Sequence, residues 1–263
     1  MQLPQELIDK IINHLDTNDK QSLRNCSLVA TSWTHTSRKR LFRSVEIPSC
    51  KLQSWQNNIS PENELLQHTR VLCYHESDKG CNGKAMPVHE TFHDYLRSFC
   101  KLEHFTLYSS GILLSPQQIE SFSAFQITLS GITLQNCSGT EDGLVTLINY
   151  FPNLTHLNIY GLWCSPREGP TPPLSQHVHL KKLDIAKWHG DHRFILPKPL
   201  GLRCDEISFT NPTPAVASTS FVQDLVSNFG VHTKRLRLHR TRSGTCSLSC
   251  SCGEDSCSQS SHR

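Results

Sequence analysis

One short stretch of the chain has the residue types of a metal-dependent hydrolase. Residues 89–93 read His-Glu-Thr-Phe-His, and on a helix this spacing lets two histidines bind zinc while the glutamate activates water. The surroundings argue against that chemistry, because Leu96 and Phe99 stand where a longer zinc-protease motif has glycine and a third histidine. Neither Glu103 nor Glu120 is a convincing third ligand. We therefore expect no metal and no cofactor, and we keep a zinc hydrolase only as an alternative.

The chain ends in a serine-rich stretch, 243–263, that carries four cysteines. Cys246, Cys250, Cys252 and Cys257 are separated by three, one and four residues, so this stretch lacks the paired Cys-x2-Cys spacing of zinc ribbons. Because it has almost no large apolar residues, the tail is predicted not to fold on its own. Most of the remaining cysteines are scattered among apolar residues, where a reduced thiol packs as a small hydrophobe. We expect no structural disulfide.

Composition argues against several classes of function. The chain has 26 Lys+Arg against 23 Asp+Glu, a formal charge of +3, which is too mild to indicate a nucleic-acid binder. Its basic runs, 38–40 and 234–242, have no interleaved aromatic residues and are typical of solvated faces. No stretch of about 20 apolar residues could span a bilayer, and the start has no basic segment followed by an apolar run. We expect a cytoplasmic or nuclear protein, or one found in both, that binds neither nucleic acid nor membrane.

The N-terminal segment shows the pattern of three short helices. Pro4 stands in the first turn, where its missing N–H would have no intrahelical partner anyway. Five apolar residues then follow at helical spacing on one side: Leu7, Ile8, Ile11, Ile12 and Leu15. The polar run 16–19 can end this helix and cap a second one at about 20–30, and a third is predicted at about 33–42. Helices this short bury little surface, so their surplus apolar residues favour binding to a partner.

These residues resemble an F-box of the form common among fungal F-box-like proteins. The resemblance rests on the Leu3-Pro4 start, the apolar spacing through Leu23 and 26–29, and Ser32-Trp33 followed by 41–43. One departure is Ala30-Thr31, where a basic residue is frequent. In that family the domain, here 1–47, binds the Skp adaptor of a cullin-RING ubiquitin ligase, and the segment after it selects the substrate. The alternative is an ordinary three-helix bundle at the start of an unrelated domain.

The resemblance implies two groups of residues within this domain. The expected adaptor-binding group is Leu3, Pro4, Leu7, Ile8, Ile11, Leu15, Leu28 and Val29. The expected F-box core is Leu23, Trp33, Leu41 and Phe42. In this interpretation the first group docks on the adaptor and the second holds the three helices together.

A weak internal repeat occupies the rest of the chain. Its template is apolar-x-x-apolar-x-apolar, and the middle apolar residues stand at positions 72, 105, 132, 157, 183, 207 and 236. The steps between them are therefore 33, 27, 25, 26, 24 and 29 residues, and the central steps fall within the period of leucine-rich repeats, about 20 to 29 residues. Helix-like stretches at 89–99, 116–125, 140–151 and 219–229 lie between several of them. The predicted fold is α/β, with a degenerate leucine-rich-repeat solenoid of about six to seven strand–helix units over 48–242. A generic α/β domain is the alternative.

Side chains that flank each strand leucine point away from the core, because side chains alternate along a strand. The row formed by them is mixed in polarity, which suits protein recognition better than a phosphate backbone. The candidate substrate-binding residues are Tyr108, Tyr160, Asp184, Arg235, Arg237 and His239. The sequence thus predicts a non-enzymatic substrate receptor of a Skp–cullin–F-box (SCF) ubiquitin ligase. A repeat scaffold without a ligase role is the alternative.

Overall fold

The computed structural model describes residues 3–16, 19–75, 95–108, 119–120, 122–161, 163–165, 178–186, 203–210, 233–239 and 248–251. The chain divides into two compact units. The first comprises Met1–Tyr108 and Glu120–Leu129, and the second comprises Ser109–Ile119 and Ser130–Arg263.

Unit 1 begins with three short helices, as predicted. They are α1 (Gln5–His14), α2 (Lys20–Val29) and α3 (Thr31–Leu41). The carboxylate of Asp19 caps α2 by accepting a hydrogen bond from the Ser22 backbone N–H at 3.0 Å. A single extended residue, Ala30, connects α2 to α3, and the Thr34 hydroxyl donates to the carbonyls of Ser27 and Ala30 at this corner.

The helices pack around a small apolar core. Ile8, Ile12 and Leu23 are almost completely buried. The partly buried side chains that pack against these three are Leu15, Trp33 and Leu41. Of the predicted F-box core, Leu23, Trp33 and Leu41 lie in this cluster, whereas Phe42, which follows α3, is half-buried outside it.

Unit 1 continues with three parallel strands, β1 (Ser44–Pro48), β2 (Val71–His75) and β3 (His104–Tyr108). Helix α4 (Ser49–Asn58) and a 3-10 helix (Glu64–His68) lie between β1 and β2 in the chain. Strand β1 begins inside the segment predicted as the F-box, so the boundary predicted at residue 47 falls within this strand. Val45 and Ile47 alternate with exposed or half-buried neighbours, which is the period-two pattern of a strand with one buried face.

Unit 2 contains mainly parallel strands. Its elements are β4 (Gly131–Gln135), β5 (Ser138–Thr140), helix α5 (Glu141–Tyr150), β6 (His156–Tyr160), β7 (Trp163–Ser165), β8 (His179–Ala186), β9 (Arg203–Thr210), β10 (Arg235–His239) and β11 (Leu248–Ser251). Strands β4, β6, β8, β9 and β10 pair in parallel in that order. Strand β5 pairs with β7. The tail predicted not to fold on its own contributes β11, which pairs antiparallel with β10.

The repeat template matches the register of these strands. In unit 1 Leu72 lies opposite Phe105. In unit 2 the row of middle template residues is Ile132, Leu157, Leu183, Ile207 and Leu236. All of them are buried except Leu236, which is half-buried. The predicted α/β class with a parallel sheet is therefore confirmed in each unit, while the leucine-rich-repeat solenoid stays a prediction.

Backbone details also repeat from strand to strand. The residue just before a strand uses its carbonyl to accept hydrogen bonds from two successive N–H groups at or near the start of the neighbouring strand. The acceptors are the carbonyls of Arg43 and Arg70 in unit 1 and of Ser130 and Thr155 in unit 2. Asn136 and Gly161, the residues after β4 and β6, both have positive φ, 52° and 67°.

The four helix-like stretches predicted after the F-box differ in how the structure describes them. The one at 140–151 is confirmed as α5. At 116–125 the structure has a short 3-10 helix at Ser123–Phe125, with residues 119–120 helical as well. Residues 89–94, which include the whole His-Glu-x-x-His motif, and the stretch at 219–229 lie outside the described residues.

Candidate functional site

The first helices of unit 1 expose a surplus of large apolar side chains. Among the described residues, the large apolar side chains that are strongly exposed are Leu3 (51%), Leu7 (46%), Ile11 (44%), Leu28 (83%), Val29 (67%) and Ile127 (70%). All but Ile127 belong to the predicted adaptor-binding group, and we call these five residues the docking patch. Leu7 and Ile11 are four residues apart on α1, so they follow one line along this helix, and Leu3 lies just before its start. Apolar surface concentrated in this way is typical of an interaction site.

Three members of the predicted adaptor-binding group lie outside the docking patch. Ile8 is only 2% exposed and packs against Ile12 and Leu23, so it lies in the core of the bundle and not on its exposed surface; its role in adaptor binding stays a prediction. Leu15 is half-buried and packs against the same cluster. Pro4 is exposed, and its carbonyl starts α1 by accepting hydrogen bonds from the N–H groups of Leu7 and Ile8.

A comparison with protein families decides the nature of this segment. The family model for the F-box domain matches residues 1–44. The chain carries an F-box. The match ends where β1 begins, so the three helices and the docking patch all lie within the F-box. F-box domains in general bind the Skp adaptor in SCF ubiquitin ligases. No curated protein matches the chain.

In unit 2 the candidate substrate-binding residues lie on a face where charges pair with one another. Arg235 and Arg237 both contact the carboxylate of Glu206, each at 3.2 Å. Lys182 lies 2.7 Å from Asp184, and the hydrogen bond to Asp184 raises the pKa of the Lys182 ammonium, the attraction of that carboxylate adding to it. The chain therefore already supplies partners for these charges, and recognition at this face must compete with them or use their uncharged neighbours.

The other candidates on the strands are less charged. Tyr160 is half-buried at the end of β6. Tyr108 at the end of β3 is half-buried, and its ring stacks on His75 with 4.2 Å between ring centroids. The backbone of His239 ends β10, while its side chain lies outside the described part. Glu206 is not among the six residues predicted from the sequence, although two arginines at positions i and i+2 of one strand lie on the same side and can share an acceptor on the neighbouring strand.

A cluster of Cys73, His75 and Glu46 has the residue types of a cysteine nucleophile with its base. The Cys73 thiol lies 3.3 Å from His75 Nε2, and Glu46 Oε1 lies 3.1 Å from the same nitrogen. A triad needs the acid on one ring nitrogen and the nucleophile on the other, so this arrangement cannot relay a proton. Burial, followed by the nearby Glu46 carboxylate, raises the pKa of the Cys73 thiol to about 11. The thiol therefore stays protonated at neutral pH and is a poor nucleophile.

In the described ranges, no group of three His, Cys, Asp or Glu side chains could hold a metal ion. The described helices include none that is both long and apolar enough to cross a membrane. The functional features of the described residues are thus surfaces: an apolar docking patch on the F-box and strand faces of mixed polarity.

Proposed function

We propose that the protein is the substrate-recognition subunit of an SCF-type ubiquitin ligase. The observation that carries this proposal is the docking patch, because it combines a match to the F-box with apolar side chains exposed to solvent. In this role the F-box binds the Skp adaptor, and the strand faces of the two units bind the target protein. Other subunits of the ligase supply the chemistry, and the protein raises the local concentration of the target beside them.

The energetics of the docking patch suit such a role. Burying a leucine-sized side chain contributes about 1.5 to 3 kcal/mol. Five side chains that are 44 to 83% exposed therefore offer several kcal/mol on docking. Trp33 and Leu41 pack from α3 against the core of the bundle, so they support the helices that present the patch. The Pro4 carbonyl fixes the start of α1 and so places Leu3 and Leu7.

The target-binding role rests on the strand faces. The template residues of β3, β6 and β8 are buried, so their neighbours along each strand form the outward face. We propose that these units are degenerate leucine-rich repeats and that Tyr108, Tyr160 and Asp184 contribute to target binding. Tyrosine suits this purpose because it offers a large apolar ring with a polar end.

Capture of a purified Skp adaptor by the full-length protein tests the proposal. Wild type should retain the adaptor, and Leu7→Asp should abolish capture, because docking would bury an unpaired carboxylate at a cost of several kcal/mol. The matched control is Ile127→Asp, which places the same charge on an exposed apolar residue outside the docking patch and should bind as wild type does. Circular dichroism of each variant verifies that the fold is retained.

Undiminished capture by a folded Leu7→Asp protein would contradict the docking role of the patch. Failure of the wild type to bind the adaptor would favour the alternative, a scaffold that uses its strand faces for other protein partners. Capture of a protein partner through the strand faces by a chain that does not bind the adaptor would identify that alternative.

A further inference from the structure

The row of parallel strands in unit 2 is neutral at one end and basic at the other. Strands β4 and β6 have no Lys, Arg, Asp or Glu. Strands β8, β9 and β10, together with the residue before β10, carry six lysines and arginines against three carboxylates. The cations are Lys181, Lys182, Arg203, Lys234, Arg235 and Arg237, and the carboxylates belong to Asp184, Asp205 and Glu206. A partner that binds at the basic end therefore fits best if it brings negative charge.

Glu206 lies at the centre of this basic end. In the register of the sheet it stands opposite Lys182 on β8 and Arg235 on β10. Its two carboxylate oxygens contact Arg235 Nη1 and Arg237 Nε, each at 3.2 Å. The hydrogen bond to Asp184 is the main cause of the raised pKa of Lys182, and the Glu206 charge adds to it. One carboxylate is thus surrounded by three cations of the two adjacent strands.

The two arginines have donors to spare. The closest contact of each uses one of its three nitrogens, and the side chains of Arg235 and Arg237 remain 56% and 43% exposed. A guanidinium offers five N–H donors, so both can accept a second carboxylate as a partner. When an incoming carboxylate takes one arginine, Glu206 keeps the other. The exchange therefore leaves no charge without a partner and avoids the penalty that such a charge would carry.

We propose that Arg235 and Arg237 bind a glutamate or aspartate within an acidic segment of the target protein. This proposal rests on the target-binding role of the strand faces and names the class of target. The site already holds a carboxylate, that of Glu206, and a guanidinium fits a carboxylate through two parallel hydrogen bonds. A nucleic acid fits less well, because Asp184 and Glu206 stand among the cations and would repel successive phosphates of its backbone.

Fluorescence anisotropy with the full-length protein tests this assignment. The probe is a labelled glycine–serine peptide with a central run of glutamates, and the same peptide with glutamines is the uncharged control. We expect binding of the glutamate peptide alone, with an affinity that falls as salt is added, because the arginines are partly exposed. Arg237→Gln should weaken binding about tenfold, which is the loss of one charge-assisted contact. Arg24→Gln, at an exposed arginine of α2, is the matched control and should bind the peptide as wild type does.

Glu206→Gln distinguishes an exchange of carboxylates from a purely structural ion pair. This variant removes the competing charge, so it should bind the glutamate peptide several times more tightly than wild type, although the sheet loses two ion pairs. Weaker peptide binding by a folded Glu206→Gln protein would overturn the proposal, because Glu206 would then position the arginines and not compete for them. Circular dichroism verifies the fold of each variant, and Arg235→Gln gives a second test if Arg237→Gln does not fold.

The outcomes separate this site from the proposed ligase role. Leu7→Asp should lose the adaptor and keep the peptide, whereas Arg237→Gln should keep the adaptor and lose peptide affinity, so either property can fail alone. Equal affinity for the glutamate and glutamine peptides would overturn the assignment, as would equal affinity of the Arg237→Gln and wild-type proteins. Tighter, Arg237-dependent binding of a single-stranded oligonucleotide would replace the acidic segment by a nucleic acid and refute the proposal.

Discussion

Leu7 and Ile8 are neighbours on α1, yet truncating them should change two different measurements. Ile8 is 2% exposed and packs in the core of the bundle, and deleting such a side chain to alanine costs about 2 to 5 kcal/mol of folding stability. Leu7 is 46% exposed in the free protein. Burying that exposed fraction on docking would contribute about 0.7 to 1.4 kcal/mol, or a three- to tenfold change in affinity.

Two assays on the full-length protein measure these effects separately. Urea unfolding should show a loss of about 2 to 5 kcal/mol for Ile8→Ala and less than about 1 kcal/mol for Leu7→Ala, whose side chain is already half solvated. Calorimetric titration with the Skp adaptor should show weaker binding by Leu7→Ala. Ile127→Ala is the control for an exposed apolar residue outside the docking patch, and it should change adaptor affinity by less than about twofold.

A reversed pattern would refute this reasoning. If Ile8→Ala kept wild-type stability but lost the adaptor, the buried and exposed sides of α1 would be interchanged. Equal destabilisation by the two variants would mean that Leu7 packs in the core as well, and then the docking patch would have to be drawn without it.

Three further predictions concern packing, backbone and thiol chemistry. Trp33→Ala should destabilise the F-box by about 2 to 3 kcal/mol, less than for a fully buried tryptophan, and an unchanged urea midpoint would contradict its packing role. Gly161→Ala should lower the free energy of unfolding by about 1 to 3 kcal/mol, because φ is +67° and the new Cβ would lie 2.6 Å from Asn136 Oδ1. A melting temperature equal to that of the wild type would rule out that strain. At pH 8 iodoacetamide should label the exposed Cys100 well before Cys73, whose pKa of about 11 leaves roughly one thiolate in a thousand. Peptide mass spectrometry measures both sites, and equal labelling would disprove the shielding of Cys73.

Periodic patterns made much of the fold predictable. The three helices and the strand positions followed from apolar spacing, and the middle template residues, such as Leu157 and Leu183, lie opposite one another in neighbouring strands. This success has a physical cause, because burial of one strand face forces a period of two and a common register. The F-box itself was recognisable from the same apolar spacing together with the Leu3-Pro4 start and Trp33.

The spacing of the apolar residues alone could not separate the buried side of α1 from its exposed side. Leu7 and Ile8 stand next to each other, and both belong to rows with a four-residue step that ends in Ile11 or Ile12. Which row turns inward depends on Leu23 and on α3, and those contacts are not local in sequence.

The single residue between α2 and α3 has a consequence for the kinetics of docking. Ala30 is extended, and the Thr34 hydroxyl ties the corner to the carbonyls of Ser27 and Ala30. A connection this short leaves the end of α2 little freedom, so Leu28 and Val29 are held in place before any partner arrives. Association then loses little backbone conformational entropy at these two residues and needs no ordering of this corner. Lengthening the corner by one glycine should therefore slow adaptor association even though every side chain of the docking patch remains.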